Sequence, residues 1–122
     1  MQRDYTVATM TGEEGHMPKY LFRASYSAAG AAGVLKEGGT GRVKAIEALV
    51  KSVGGTLETA YWVMGADDFL LIADLPDTAA AAAASLTVGA SGVASVTTSE
   101  LLTAADVDEI AKRRVEYRPP GA

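Results

Sequence analysis

The chain has 122 residues, no cysteine, one histidine (His16) and a formal net charge of −4. That length suits one domain. The missing cysteines exclude disulfide frameworks, thiolate zinc sites and cysteine nucleophiles, and a lone histidine argues against a Ser-His-Asp triad or a His-rich metal centre. With 48% hydrophobic and 21% charged residues, the composition is that of a soluble globular domain. A pI near 4.9 has the wrong sign for a dedicated nucleic-acid binder.

Residues 1–16 differ in character from the remainder of the chain. They are polar, and Glu13 and Glu14 stand where a secretory signal would carry its apolar run. Met17 would serve as an initiator, so 1–16 reads either as an extended start or as an N-terminal arm that packs on a partner subunit. No stretch approaches the roughly 18 apolar residues of a membrane span. The expectation is a cytoplasmic protein with no membrane or nucleic-acid partner.

Lys19 to Ser27 (KYLFRASYS) predicts a strand rich in aromatic residues. The small, glycine-rich segment after it holds about one turn of helix between Ala28 and Leu35. Over Arg42–Val53, the positions Val43, Ile46, Leu49, Val50 and Val53 follow the spacing of an amphipathic helix, and Gly54-Gly55 stops it. Glu47 and Lys51 form a favourable pair on its solvated side. Thr56–Met64 and Asp67–Leu75 read as strands joined through Gly65-Ala66, which suits a type II′ hairpin. Asp77 is a natural N-cap for a helix over Thr78–Val88, whose six alanines at 79–84 favour helix and close packing. Val93–Leu102 predicts a fourth strand. Thr103 and Asp106 resemble a capping box for a short helix to Arg114, before the extended tail YRPPGA.

The order is β-α-β-β-α-β plus a terminal helix, the split ferredoxin-like α+β arrangement with sheet order 4-1-3-2 and both long helices on one face. The expected organisation is an arm over 1–16, a body over 17–102, and a helix with tail over 103–122. The hairpin register opposes Trp62 to Phe69, Tyr61 to Leu70 and Thr59 to Ile72. One face then carries Leu57, Tyr61, Val63, Leu70 and Ile72, the other Ala60, Trp62, Met64, Phe69, Leu71 and Ala73. Both are apolar, whereas an antiparallel sheet covered on one side normally leaves the other polar. A second copy is therefore expected to cover the face of Trp62, Phe69 and Leu71, making these the oligomer interface.

Signals for chemistry are weak. Glu37-Gly38-Gly39-Thr40-Gly41-Arg42 before a helix has the look of an anion cradle, but it lacks a phosphate-loop pattern and reads more simply as a loop with Thr40 as cap. Gly89-Ala90-Ser91-Gly92 lacks the nucleophile-elbow spacing, and Ser91 reads as turn chemistry. Asp67 and Asp68 are adjacent on a strand and point apart, so no metal site is expected. Lys112, Arg113 and Arg114 complement the last turn of a helix. What remains is polar and aromatic: Arg23 in an apolar strand needs an anionic partner, for which Asp68 or Asp74 would serve. A ligand pocket, if built, lies between sheet and helices. There Arg23 supplies charge, Tyr26 and Tyr61 hydroxyls and rings, and Asp68 an acceptor or weak base for a small aromatic or carboxylate-bearing ligand. A one-residue slip of the first strand exchanges Arg23 for Phe22.

MPKYLF, LKEGGTGRVKAIEALVKSVGG, YWVMGADDFLLIADLPD, VGASGVASVTTSELLT and YRPPGA together resemble the GYD-domain family over Met17 to Ala122. In its Gly-Tyr-Asp signature, Gly65 and Asp68 match the glycine and aspartate, and Asp67 stands where the tyrosine would be. The resemblance implies a dimeric α+β barrel and supplies no catalytic residues. The reading is a homodimer or larger homo-oligomer that binds a small molecule or simply assembles. It needs no cofactor and has no triad, thiol or histidine site. The alternative is a cofactor-independent oxygenase or isomerase acting on a small aromatic or carboxylate-bearing substrate, against which the lack of a pocket histidine counts.

Overall fold

Charge and size alternate along the first strand, and this alternation orients the molecule. In the computed structural model, which describes residues 17–122, β1 (Lys19–Tyr26) leads into α1 (Ala28–Glu37) and α2 (Gly39–Ser52). Then come β2 (Thr56–Trp62), β3 (Phe69–Asp74), α3 (Thr78–Ser91), β4 (Ala94–Leu101) and α4 (Ala104–Ala111). The expected arm over 1–16, with His16, lies outside the described residues. The four strands form one sheet in the order β2-β3-β1-β4 with antiparallel pairing throughout, which is the expected order read from the other edge. The fold is ferredoxin-like α+β with an added C-terminal helix. Among the described residues no helix is long and apolar enough to cross a membrane.

Helices α1 to α3 are longer than periodicity alone predicts. Helix α4 instead ends at Ala111, short of Arg114, so Lys112, Arg113 and Arg114 follow the helix and do not fill its last turn. Ser27 accepts from the Gly30 N–H at 3.2 Å and starts a helix of ten residues where one turn was expected. Gly38, at φ 82°, turns the chain directly into α2, which therefore absorbs the Gly-rich segment into its first turn. Thr40 is inside that turn and is not the cap. Asp77 caps α3 as expected, its carboxylate accepting from the Ala80 N–H at 2.9 Å, and Gly92 closes the helix in the left-handed region. The Thr103–Asp106 capping box is present in both directions.

The hairpin register is the expected one at Trp62–Phe69, Tyr61–Leu70 and Thr59–Ile72. Its turn is not. Val63 N–H bonds the Asp68 carbonyl at 2.8 Å, so residues 64–67 form a longer loop. Gly65 is absent from the positive-φ glycines, which removes the type II′ geometry. A bulge between Leu57 and Thr59 moves Leu57 across the sheet to pack with the core, away from the Tyr61 face to which strict alternation assigns it.

The helices cover the face opposite to the one expected. Phe69 (1% exposed), Leu71, Ala73 and Phe22 pack under Val50 of α2 and Ala81 of α3. Phe69 and Leu71 are thus core, not an interface for a second sheet, and Trp62 lies on the same side, partly exposed at its margin. Both hairpin faces are apolar, so the deciding contrast comes from β1. Tyr20, Phe22 and Ala24 alternate with Lys19, Leu21 and Arg23, and turning the second set under the helices would bury two cations. The open face instead carries Arg23, Tyr61 and the half-buried Leu21, Leu70 and Ile72, with Lys19 bonded to Glu58 at 2.7 Å and Asp74 at 2.9 Å.

Close backbone approach pins α1 to the sheet. A Cβ on Gly30 would collide with the Val93 carbonyl oxygen and come within 3.1 Å of the Tyr26 ring, whereas a Cβ on Gly33, in the same helix, would meet nothing within 4 Å. Gly30→Ala is expected to cost about 1–3 kcal/mol through forced displacement. Gly33→Ala should be neutral or stabilising by up to about 1 kcal/mol. Urea unfolding of the pair checks both signs.

Candidate functional site

Between helices α2 and α3 and the sheet lies a cavity of about 400 Å3. Phe22, Phe69 and Leu71 form its sheet side, and Ile46, Leu49 and Ala84 stand among its helical walls. Few of the groups that line it are polar. Ser85 pairs with Thr98, and Ser91 donates to the Val88 carbonyl, so neither is poised as a nucleophile.

The polar end is built where β1, the α1–α2 junction and the hairpin meet. Tyr26 stacks on Trp62 with ring centroids 6.0 Å apart, and Trp62 in turn rests on Phe69 at 4.7 Å. Gly39 leaves room for this, because a Cβ there would come within 3.3 Å of the indole nitrogen of Trp62. Arg42 lines the same cavity from the first turn of α2. Its Nε is buried without a hydrogen bond, and the Oε1 of Glu37 stands 3.5 Å away, near enough for an ion pair. Gly41 admits this arrangement, since a Cβ there would press on Cγ of Glu37 at 3.3 Å. Burial pushes the Tyr26 hydroxyl pKa up; the Arg42 charge pulls it down, and the carboxylates of Asp68 and Glu37 push it up again.

The four residues expected to share a pocket do not share one. Tyr26 lines the cavity. Asp68 touches Tyr26, but through the backbone, accepting from its N–H at 2.8 Å. Arg23 and Tyr61 flank Leu70 from either side on the open face, where Tyr61 is 64% exposed and Arg23 pairs loosely with Asp67 at 3.9 Å. The one-residue exchange considered for β1 is realised, and Phe22 occupies the cavity wall in place of Arg23. The cation at the cavity is Arg42, which the sequence reading placed at the end of the Gly-rich segment and the start of the helix but did not assign to the pocket. Its signal was present: Arg42, Ala45, Ile46 and Leu49 repeat at i, i+3, i+4 and i+7, one flank of the apolar stripe of α2.

A ferredoxin-like α+β domain with an apolar seat between sheet and helices is the class that these features define. Within it, the chain belongs to the GYD-domain family, whose model matches residues 20–111. No curated protein matches the chain. Among solved structures it is similar to the crystal structure of MtbAldR, at 16% identity and a TM-score of 0.48, over 70% of this chain and 52% of that one. The chain thus spans about half the length of that protein chain.

The position of the Tyr26 hydroxyl has a measurable consequence. Its folded pKa is raised above the ordinary 10.0, so the unfolded chain ionises first as pH rises. Stability should therefore fall as pH climbs past 10 and through the folded value. Tyr26→Phe should flatten that part of the profile, and Arg42→Met should move the Tyr26 ionisation further up. Absorbance titration of the phenolates, with urea unfolding at stepped pH, checks both.

Proposed function

We propose that this chain is a homodimeric small-molecule-binding module whose ligand seat is the cavity under α2 and α3. The cavity carries this reading. At about 400 Å3 it falls within the roughly 300–1,000 Å3 of ligand pockets, and its apolar walls with a few gathered polar groups follow the pattern of such sites. The cavity is partly open to the surface, which gives a ligand access, and its apolar walls gain when an apolar body takes the place of water. The oxygenase or isomerase alternative draws no support from Asp68, the carboxylate it would use as base, since that group is committed to the Tyr26 N–H.

Dimerisation is supported by the open face of the sheet. Leu21 and Ile72 oppose one another there, and Leu70 lies in the next outward row between Arg23 and Tyr61. An apolar ridge bordered by polar and charged groups is the pattern of a face that pairs with its own copy, and a stable pairing of this kind buries at least about 1,000 Å2.

Two experiments separate the two halves of the proposal. 3-Phenylpropanol, a neutral probe with an aromatic ring and a short chain, is expected to shift methyl resonances of Ile46, Leu49 and Leu71. Ala84→Leu, which fills the cavity, should abolish those shifts while leaving the fold intact. Shifts that survive Ala84→Leu would remove the cavity as the seat. Sedimentation equilibrium is expected to give a dimer at micromolar concentration and a monomer for Ile72→Glu; a wild-type monomer overturns the dimer.

A further inference from the structure

We infer that Arg42 is the anchor for an organic monoacid, so that the ligand of the cavity is an apolar body ending in one carboxylate. The inference rests on the cavity being a ligand seat and names what that seat selects. Four observations combine. The cavity walls are predominantly apolar and include the rings of Phe22, Tyr26 and Phe69. One guanidinium lines it, and Arg42 Nε is both sealed from solvent and without a hydrogen bond. Glu37 balances the Arg42 charge from 3.5 Å but does not satisfy that donor. Tyr26, with a hydroxyl whose ionisation responds to the Arg42 charge, lines the same space.

A buried N–H without an acceptor is costly, and a guanidinium presents its donors as a planar fork that matches a carboxylate. Nε itself is closed to water, whereas the Arg42 side chain as a whole keeps 28% of its surface accessible, so a ligand carboxylate would pair with the outer nitrogens of the fork. The neighbouring charges limit the choice of anion. Glu37 is paired to Arg42, and Asp68 holds the Tyr26 N–H, so two carboxylates already stand around this end of the cavity. A dianion such as a phosphate monoester doubles the repulsion along with the attraction to the single cation and carries a far larger desolvation cost into apolar walls, so a monoanion is favoured. The apolar walls account for the rest of the molecule: an aryl or branched alkyl group, with no further charge to desolvate.

The test compares two probes of one skeleton, 3-phenylpropanoate and 3-phenylpropanol, by isothermal titration of the full chain at pH 7. The acid is expected to bind about tenfold more tightly than the alcohol, the factor that a charge-assisted hydrogen bond supplies. Arg42→Met should bring the two affinities together by weakening the acid far more than the alcohol, with the urea unfolding midpoint as its control for folding. Glu37→Gln, which removes the competing counterion and leaves Arg42 in place, should strengthen the acid and not the alcohol. It carries the test in folded protein if Arg42→Met does not fold. Equal affinity of acid and alcohol for the wild type, or an acid preference that survives Arg42→Met, overturns the anchor and leaves the cavity reading standing. If neither probe binds, the cavity reading falls and the anchor with it.

Discussion

Asp68 makes three bonds on which the rest of the arrangement depends. Its carboxylate accepts from the Tyr26 N–H at 2.8 Å, its own N–H donates to the Ala24 carbonyl at 2.9 Å, and its carbonyl accepts from Val63 N–H at 2.8 Å. The first two tie the end of β1 to the start of β3; the third closes the hairpin. Together they hold β1 in the register that opposes Ala24 to Phe69 and Phe22 to Leu71. Side chains alternate with period two, so a slip of one residue would carry Arg23 under the helices and Phe22 into the open. Both the apolar floor of the cavity and the charge on the opposite face follow from that register. A carboxylate in a sheet loop invites a catalytic reading. Here its hydrogen bond is to backbone, and its work is positional.

The cavity is not a sign of loose assembly. In α1 and in the turn after α2 the backbone packs as closely as it can. Gly30 lies against the Val93 carbonyl, and a Cβ on Gly55 would collide with the Asp74 carbonyl oxygen and the Leu75 side chain. Elsewhere the facing positions carry alanine: Ala24 on the sheet, Ala45 on α2, Ala84 on α3 and Ala94 on β4 all border the void. These short side chains leave space that longer ones would fill. The alanines of α3 therefore do two things, the second through Ala84. They favour helix without cost in side-chain entropy, and they hold open the room beneath it.

Local chemistry was legible in the sequence wherever a residue type has a distinctive local role. The caps Asp77 and Thr103 and the cross-strand pairs of Trp62, Tyr61 and Thr59 could be read from spacing alone. The choice of covered face could not be read from the hairpin, because both its faces are apolar. It was encoded in β1, where Lys19 and Arg23 share a side. The reading treated Arg23 as a buried charge in search of a partner, when it marked the open surface. The bulge at Glu58 left no trace in the alternation, since it inserts a residue that is then held by Lys19 on the open face. Arg42 was hidden for a further reason. Glycines at 38, 39 and 41 argue against helix by propensity, yet two of them stand in a first turn, where a helix asks least of them, and they bring the arginine onto the cavity face.

The same geometry separates the role of Asp68 from that of the residue before it. In the Gly-Tyr-Asp signature that the resemblance implies, Gly65 and Asp68 match the glycine and aspartate, and Asp67 stands in the tyrosine's place. All three bonds of Asp68 run to the main chain of Ala24, Tyr26 and Val63, and none needs a side chain at position 67. Asp67 does not line the cavity; it faces Arg23, 3.9 Å away, on the side of the sheet turned from the helices. Exchanging an aromatic hydroxyl for a carboxylate there alters the charge of the open face and leaves the cavity lining as it is. Asp68 holds the register and, through it, the lining of the cavity. The position before it belongs to the surface that would meet a second copy.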